Sequence, residues 1–343
     1  MNIIAAIIVF GLIVFIHELG HFLLAKKNGV GVIEFSIGMG PRIFSTVRNE
    51  TRYSIKLLPL GGSCLMVGED TEDDADNALN KKSVGARISV VLAGPVFNFI
   101  LAFVLAILLV GNVGYDAPTV SEVADGYPAQ QAGLQAGDLI RKINNKKIVT
   151  FRDVLMYFHF NPDQTVQLEY ERDGQIHSAQ MKPVYDEESS SYRIGVKNME
   201  KNTRTGFLGT IRYAIYEVKY TFQMTFKSLA WLVQGKVKPN ELSGPVGILS
   251  VIGSTVGEAK NVGMAAVVLS LVNISILLST NLGIMNLLPF PALDGGRILF
   301  LLIEGFRGKP LDPKKEGLVH AIGFVCLMAM MVFVFYNDIR KLL

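Results

Sequence analysis

Cysteine is scarce in this chain: Cys64 and Cys326 are the only two among 343 residues, and no CxxC pair exists. That excludes a disulfide framework and a cysteine-built zinc site. Charge is scarce as well. Charged residues make up 18% of the sequence, where a soluble domain carries about a quarter. The formal net charge is only +3, and no basic tract offers a footing for nucleic acid. No basic residue precedes the first apolar run, whereas Lys26 and Lys27 follow it, a poor fit to a cleavable signal peptide. What the chain has in abundance is apolar surface: half of its residues are hydrophobic and the mean hydropathy is +0.36. These residues gather in long uncharged runs, as membrane spans do.

Four runs read as spans. The first covers Asn2 to Ala25 and is interrupted only by His17, Glu18 and His21. The second, Ile88 to Val110, has no charge, and the fourth covers Leu318 to Tyr336. Nothing between Asn261 and Leu293 is charged, a third run longer than the roughly 20 residues a crossing needs. The expected class is therefore a polytopic α-helical membrane protein with about four transmembrane helices. Nine lysines and arginines lie between spans one and two, Lys26 through Arg87, and five between spans three and four, Arg297 through Lys315. Short basic loops stay in the cytoplasm, while long domains cross regardless of charge. Both termini, and the long segment from Val113 to about Lys260, are then expected outside; Arg340 and Lys341 do not outweigh the other fourteen.

His17-Glu18-Leu19-Gly20-His21 is an HExxH pattern. On a helix the two histidines are one turn apart, so both imidazoles reach one metal from the same face. The glutamate between them can act as general base on metal-bound water. Three ionisable side chains within one span are costly unless they pair, bind metal or line a polar cavity. Zinc catalysis also needs a third ligand and an open position. Asp294 is the candidate, at the far end of the overlong run in Asn286-Leu-Leu-Pro289-Phe-Pro291-Ala-Leu-Asp294-Gly295-Gly296. The prolines cannot continue a regular helix, and the glycine pair permits tight turns. Taken alone, Asp294 also reads as an ordinary loop residue capping the next helix. Topology favours the ligand: spans one and three run in the same direction, which brings His17, His21 and Asp294 to one depth near the cytoplasmic side.

These two motifs resemble those of the site-2 protease family of intramembrane zinc metalloproteases, with closest likeness to the bacterial regulators that cleave anti-sigma factors. Gly38-Met-Gly40-Pro41, Leu58-Pro-Leu-Gly61-Gly62, Leu92-Ala-Gly94-Pro95-Val-Phe-Asn98 and Ser243-Gly-Pro-Val-Gly247 also match, in the family's order, over nearly the whole chain. The resemblance implies Zn2+ on His17, His21 and Asp294, with Glu18 as catalytic base. It implies that Asn281 and Asn286 engage the substrate backbone, which amides can do in both directions; helix–helix bonding is their alternative role. It makes Gly38 and Gly40 part of a membrane-associated hairpin that binds the substrate strand, where a simple turn would suit the glycines equally.

Tyr127 to Asn144 resembles the PDZ domain of bacterial proteases. Short alternating runs follow, Thr165 to Tyr170 and Ile176 to Met181, separated by Asp173-Gly174. A PDZ domain binds extended peptides at a sheet edge, and a size-excluding filter over the active site is the alternative. Relatives often carry two such domains, and this chain has room for one. Gly206 to Gln234 reads as an amphipathic helix, lying on the membrane surface or packed on the PDZ domain. The acidic run Glu69 to Asp76 reads as a solvated loop, and His159, His177 and His320 as structural or exposed.

The expected organisation is an N-terminal membrane half over 1–112, a small inserted β+α PDZ-like domain over 113–200, an amphipathic helix and connector over 201–260, and a C-terminal membrane half over 261–343. The expected activity is cleavage of single-span membrane proteins such as anti-sigma factors in a bacterial plasma membrane, after a first cut by a site-1 protease, among membrane lipid and without nucleic acid. A non-catalytic PDZ scaffold, clearance of signal-peptide remnants and processing of a sporulation precursor are the alternatives.

Overall fold

The computed structural model of the protein describes residues 2–69, 73–187, 191–198, 203–237 and 244–342. Ser243 and residues 70–72 of the acidic run lie outside the described residues. The chain divides into two compact units, 1–106 together with 229–343, and 107–228.

The first unit opens with helix α1 (Asn2–Lys27). Its apolar residues leave no alternative way to satisfy the backbone in lipid, and it stops where Gly29 takes a left-handed conformation, φ 65°. Strands β1 (Val32–Arg48) and β2 (Thr51–Met66) form a long antiparallel hairpin. It turns at Asn49-Glu50, both with positive φ. Gly38 to Pro41 therefore lies inside β1, not at the tip. There the hairpin folds back on itself: Phe35 is paired with Cys64 on one side and with Tyr53 on the other. Gly38 and Gly40, at φ 87° and 88°, make that bend possible.

Glu34 fastens the fold-back. Its buried carboxylate accepts from Arg42 Nε at 2.7 Å, Arg42 Nη2 at 3.1 Å and Ser54 Oγ at 2.6 Å. Lys56 stands 3.8 Å away. The neighbouring Arg42 guanidinium holds the Glu34 carboxyl down at about 2. Ile37, Met39, Ile43, Phe44 and Leu58 are meanwhile exposed on the hairpin. Helix α2 (Val84–Val113) follows, with Pro95 in its interior.

In the second unit a series of short strands and helices follows the last turns of α2. They begin with β3 (Val120–Val123), α3 (Pro128–Gln131), β4 (Leu139–Ile143), β5 (Lys146–Lys147) and α4 (Phe151–Phe160). Strands β6 (Val166–Arg172) and β7 (Gln175–Met181) complete a sheet of order β5-β4-β6-β7. Asp173 and Gly174 between them both have positive φ, the primed turn that suits a two-residue hairpin. Asn144, also at positive φ, serves the β4–β5 connection. A hairpin of β8 (Val184–Asp186) and β9 (Ser191–Arg193) and the pairing of β10 (Val196–Asn198) with β3 close the domain. Ile140, Ile143, Val154, Val166 and Leu168 fill its core. Buried Asp138 accepts two bonds of 2.7 Å from Arg172. This is the small PDZ-like domain.

Helix α5 (Phe207–Val233) packs on that domain through one face. Tyr213 stacks on Tyr115 with ring centroids 3.5 Å apart, Glu217 pairs with Arg152, and Lys227 sits over Phe160. Phe207, Leu208, Ile215, Phe222 and Phe226 remain exposed. The helix is thus both packed and amphipathic.

The rest of the first unit is helical: α6 (Pro245–Val262), α7 (Met264–Leu287), α8 (Asp294–Arg307) and α9 (Pro313–Leu342). Asp338 of α9 caps α6, accepting from Gly244 N and Gly247 N at 2.9 Å. Helices α1, α6 and α7 share a core of Ala6, Ile252, Val256, Val267 and Ile274. Among the described residues, α1, α2, α7 and α9 are long and apolar enough to cross a membrane. The overlong third run resolves into α7 and an irregular turn, because Pro289 and Pro291 end the helix after Leu287.

Candidate active site

Helix α1 places His17 and His21 on one face, four residues apart, with Nε2 atoms 3.2 Å from each other. Asp294 arrives from the start of α8. Its Oδ2 lies 3.2 Å from His17 Nε2 and 3.5 Å from His21 Nε2, and it is buried without a hydrogen bond. Leu293 is the cap residue of α8, so Asp294 does not cap it; the carboxylate is turned to the histidines. Metal bonds of about 2.0–2.2 Å put neighbouring tetrahedral ligand atoms roughly 3.3–3.6 Å apart. The three atoms stand close to that spacing, and two imidazoles with one carboxylate are a donor set zinc accepts. Among the described residues no other cluster of three such side chains could hold a metal.

The turn that delivers Asp294 is tight. A Cβ on Gly295 would stand 2.2 Å from Leu288 O, and one on Gly296 2.4 Å from Phe290 O. Only bare backbone fits there. Ala292 takes a strained φ of 75°, and its N–H donates to His320 Nδ1 at 2.8 Å. His320 is thus structural, holding the turn from α9. Ion pairs Arg297–Glu69 and Glu304–Arg87 tie α8 to the N-terminal half of the same unit.

Helix α2 backs the two histidines. Gly20 lets α1 approach it: a Cβ there would lie 2.5 Å from Ala93 O. A Cβ on Gly94 would lie 2.3 Å from His21 Nε2 and 2.7 Å from His17 Cε1. His21 Nδ1 donates to Val90 O at 2.9 Å, and His17 Nδ1 stands 3.1 Å from Asn98 Nδ2. Glu18 faces β2, where its side chain passes close to Gly62. Asn281 and Asn286 are half-buried on the last two turns of α7. Five residues apart, they project about 140° from each other around the axis.

Residues 5–330 match the model of Peptidase family M50. The chain belongs to that family. The likeness to site-2 proteases read from the two motifs is thereby borne out, and this M50 peptidase is a zinc metalloprotease and a membrane protein. It is 39% identical to a candidate zinc metalloprotease of Clostridium acetobutylicum, over 98% of this chain and 97% of that one. It is 33% identical to zinc metalloprotease RasP of Geobacillus kaustophilus, over 99% and 98%. With the regulator of sigma-W protease RasP of Bacillus subtilis it shares 32%, over 99% of both. Both RasP alignments run over 424 positions, about 80 more than this chain has residues, whereas the clostridial one runs over 340. Among solved structures, the PDZ domain of an SdrC-like protein of Listeria monocytogenes is 26% identical over 25% of this chain and 90% of that one, with a TM-score of 0.23.

Three positions escaped the sequence reading: Gly94 and Asn98, which quoted motifs contain without a role, and Glu34. The first two carried a signal. Positions 90, 94 and 98 recur every four residues and so share one face of α2.

Proposed function

We propose that this M50 peptidase performs regulated intramembrane proteolysis of single-span membrane proteins of the anti-sigma-factor kind, with His17, His21 and Asp294 holding the catalytic zinc. The observation that supports it most is the convergence of those three ligand atoms at 3.2–3.5 Å from two helices far apart in sequence. Zinc held there would polarise the scissile carbonyl and lower the pKa of a bound water. Glu18 takes the water proton and later delivers it to the leaving amine. A transmembrane substrate hides its peptide bonds in its own helix, so it must unwind first. The hairpin around Gly38 and Gly40 offers backbone to the extended segment, and the amides of Asn281 and Asn286 hold it.

The sigma-W regulator in the name of the Bacillus subtilis relative supports an anti-sigma-type substrate. In the cell, this reading takes a site-1 protease that trims the outer domain first. Along the chain this reading assigns 1–112 and 261–343 to the two membrane halves, 113–200 to the PDZ-like domain and 201–260 to the helices that connect them. The chain sits in a bacterial plasma membrane with both termini and the PDZ-like domain outside, as the basic loops require. The active site then lies toward the cytoplasmic side.

The test is cleavage of single-span substrates with trimmed outer domains in proteoliposomes. Wild type cuts them, a zinc chelator stops the reaction, and Glu18→Gln keeps its zinc while turnover falls about 10²- to 10⁴-fold. Unimpaired turnover by Glu18→Gln defeats the assignment of the base. No cleavage by zinc-loaded wild type across a varied substrate panel points to the scaffold instead.

A further inference from the structure

We infer that α2 is the outer wall of the metal site, with Asn98 as the residue that orients His17 for the metal; this rests on the proposed ligand role of His17 and His21. A histidine binds a metal through the lone pair of one ring nitrogen, and its other nitrogen normally donates to a fixed acceptor. His21 meets that rule through Val90, whose carbonyl accepts from Nδ1 at 2.9 Å. Nε2 of His21 is left with its lone pair toward His17 and Asp294.

His17 has one candidate for the same service. Asn98 is fully buried, and its amide lies 3.1 Å from His17 Nδ1. With Nδ2 toward the ring, Asn98 donates to Nδ1, so the ring proton sits on Nε2 and blocks metal binding there. In that orientation Asn98 Oδ1 is buried with no partner, a costly state for a carbonyl oxygen. Half a turn of the amide exchanges the two atoms. Oδ1 then accepts from His17 Nδ1–H, and Nε2 keeps its lone pair for the metal. The amide orientation thus selects the tautomer that can bind metal.

The position of Asn98 is itself held. Ser279 of α7, fully buried, donates to the Asn98 backbone carbonyl at 2.8 Å, and Gly283 one turn on meets Pro95 O and the Phe99 ring. Val90, Gly94 and Asn98 therefore form one ladder along α2: an acceptor, a gap for the rings and a second acceptor. Antiparallel to it, α1 presents His21 and His17. Gly94 fills its place by having no side chain, since a methyl there would stand 2.3 Å from His21 Nε2.

The experiment measures zinc affinity of the purified full chain by competition with a chromogenic chelator, for wild type, Asn98→Leu, Asn98→Asp and His17→Ala. Cobalt-loaded protein is read in parallel by its visible d–d bands. An acceptor role predicts that Asn98→Leu, with the same shape and no acceptor, binds zinc about 10- to 100-fold more weakly. Asn98→Asp, which can only accept when ionised, should bind within about threefold of wild type or more tightly, with displaced cobalt bands. Unchanged zinc affinity in folded Asn98→Leu overturns the inference, as does a tenfold loss in Asn98→Asp. Should Asn98→Leu not fold, the Asn98→Asp titration alone decides between these outcomes. His17→Ala separates the layers of the claim. Loss of zinc there with wild-type affinity in Asn98→Leu defeats the outer wall alone, whereas retained affinity in His17→Ala defeats the ligand assignment beneath it.

Discussion

Replacing Glu34 by glutamine should open the far half of the hairpin while leaving the rest of the protein in place. The glutamate carboxyl sits at about 2 rather than its ordinary 4.5, a difference equivalent to about 3 kcal/mol at 1.36 kcal/mol per unit. Its main partner Arg42 is half exposed, so solvent screening brings the contribution down to about 1–2 kcal/mol. That corresponds to a 5- to 30-fold change in the opening equilibrium. Because the folded value lies below the unfolded one, the open form binds more protons between the two. The stabilisation is complete above pH 4.5 and disappears as pH falls toward 2. Hydrogen exchange of the chain in nanodiscs reads this directly. At pH 7 the amides of residues 42–48 and 51–56 in Glu34→Gln should exchange 5- to 30-fold faster than in wild type. After correction for intrinsic exchange chemistry, wild type should converge on the variant as the pH is lowered, while the variant stays level. Equal exchange in the two proteins at pH 7, or an acceleration spread evenly into the PDZ-like domain, would refute the role of Glu34 as the fastener.

Three further outcomes are expected. Gly20→Ala drives a methyl toward the Ala93 carbonyl, 2.5 Å away, so α1 and α2 must separate; chelator competition should show at least about a tenfold loss of zinc affinity. Asp294→Asn keeps the shape of the proposed ligand but not its charge, and the same titration should show weaker zinc binding with a near-native melting profile. In the second unit, Arg152→Met leaves Asp116 and Glu217, whose carboxyls burial already raises above their ordinary range, without their shared cation. The cost should be about 3 kcal/mol at pH 7, and it should shrink toward pH 5. Groups with raised values stabilise the fold only when protonated, so thermal unfolding with the same loss at both pH values contradicts the scheme.

The candidate spans and the cluster of His17, His21 and Asp294 could be read from the chain because each rests on local patterns. HExxH needs only the helical repeat, and Asp294 only the two prolines and two glycines that force an irregular turn. What stayed hidden depends on partners distant in sequence. Glu34 looks like any surface glutamate until the hairpin doubles over and brings Arg42, Ser54 and Lys56 to it. Helix α6 was absorbed into a connector, because its apolar face is legible only against α1 and α7. The Gly38–Pro41 segment signals a bend correctly, but a bend inside a strand and a loop between strands have the same glycines.

The three converging atoms belong to residues 17, 21 and 294, so a long stretch of synthesis separates the two histidines from the carboxylate. At about 5–20 residues per second, the 273 residues from His21 to Asp294 take roughly 14–55 s to emerge. Throughout that interval α1 carries two histidines and no carboxylate to complete them. With the ligand set proposed above, the nascent chain therefore carries its own delay: zinc would lack its third protein ligand, and the protease should stay inert, until Asp294 arrives.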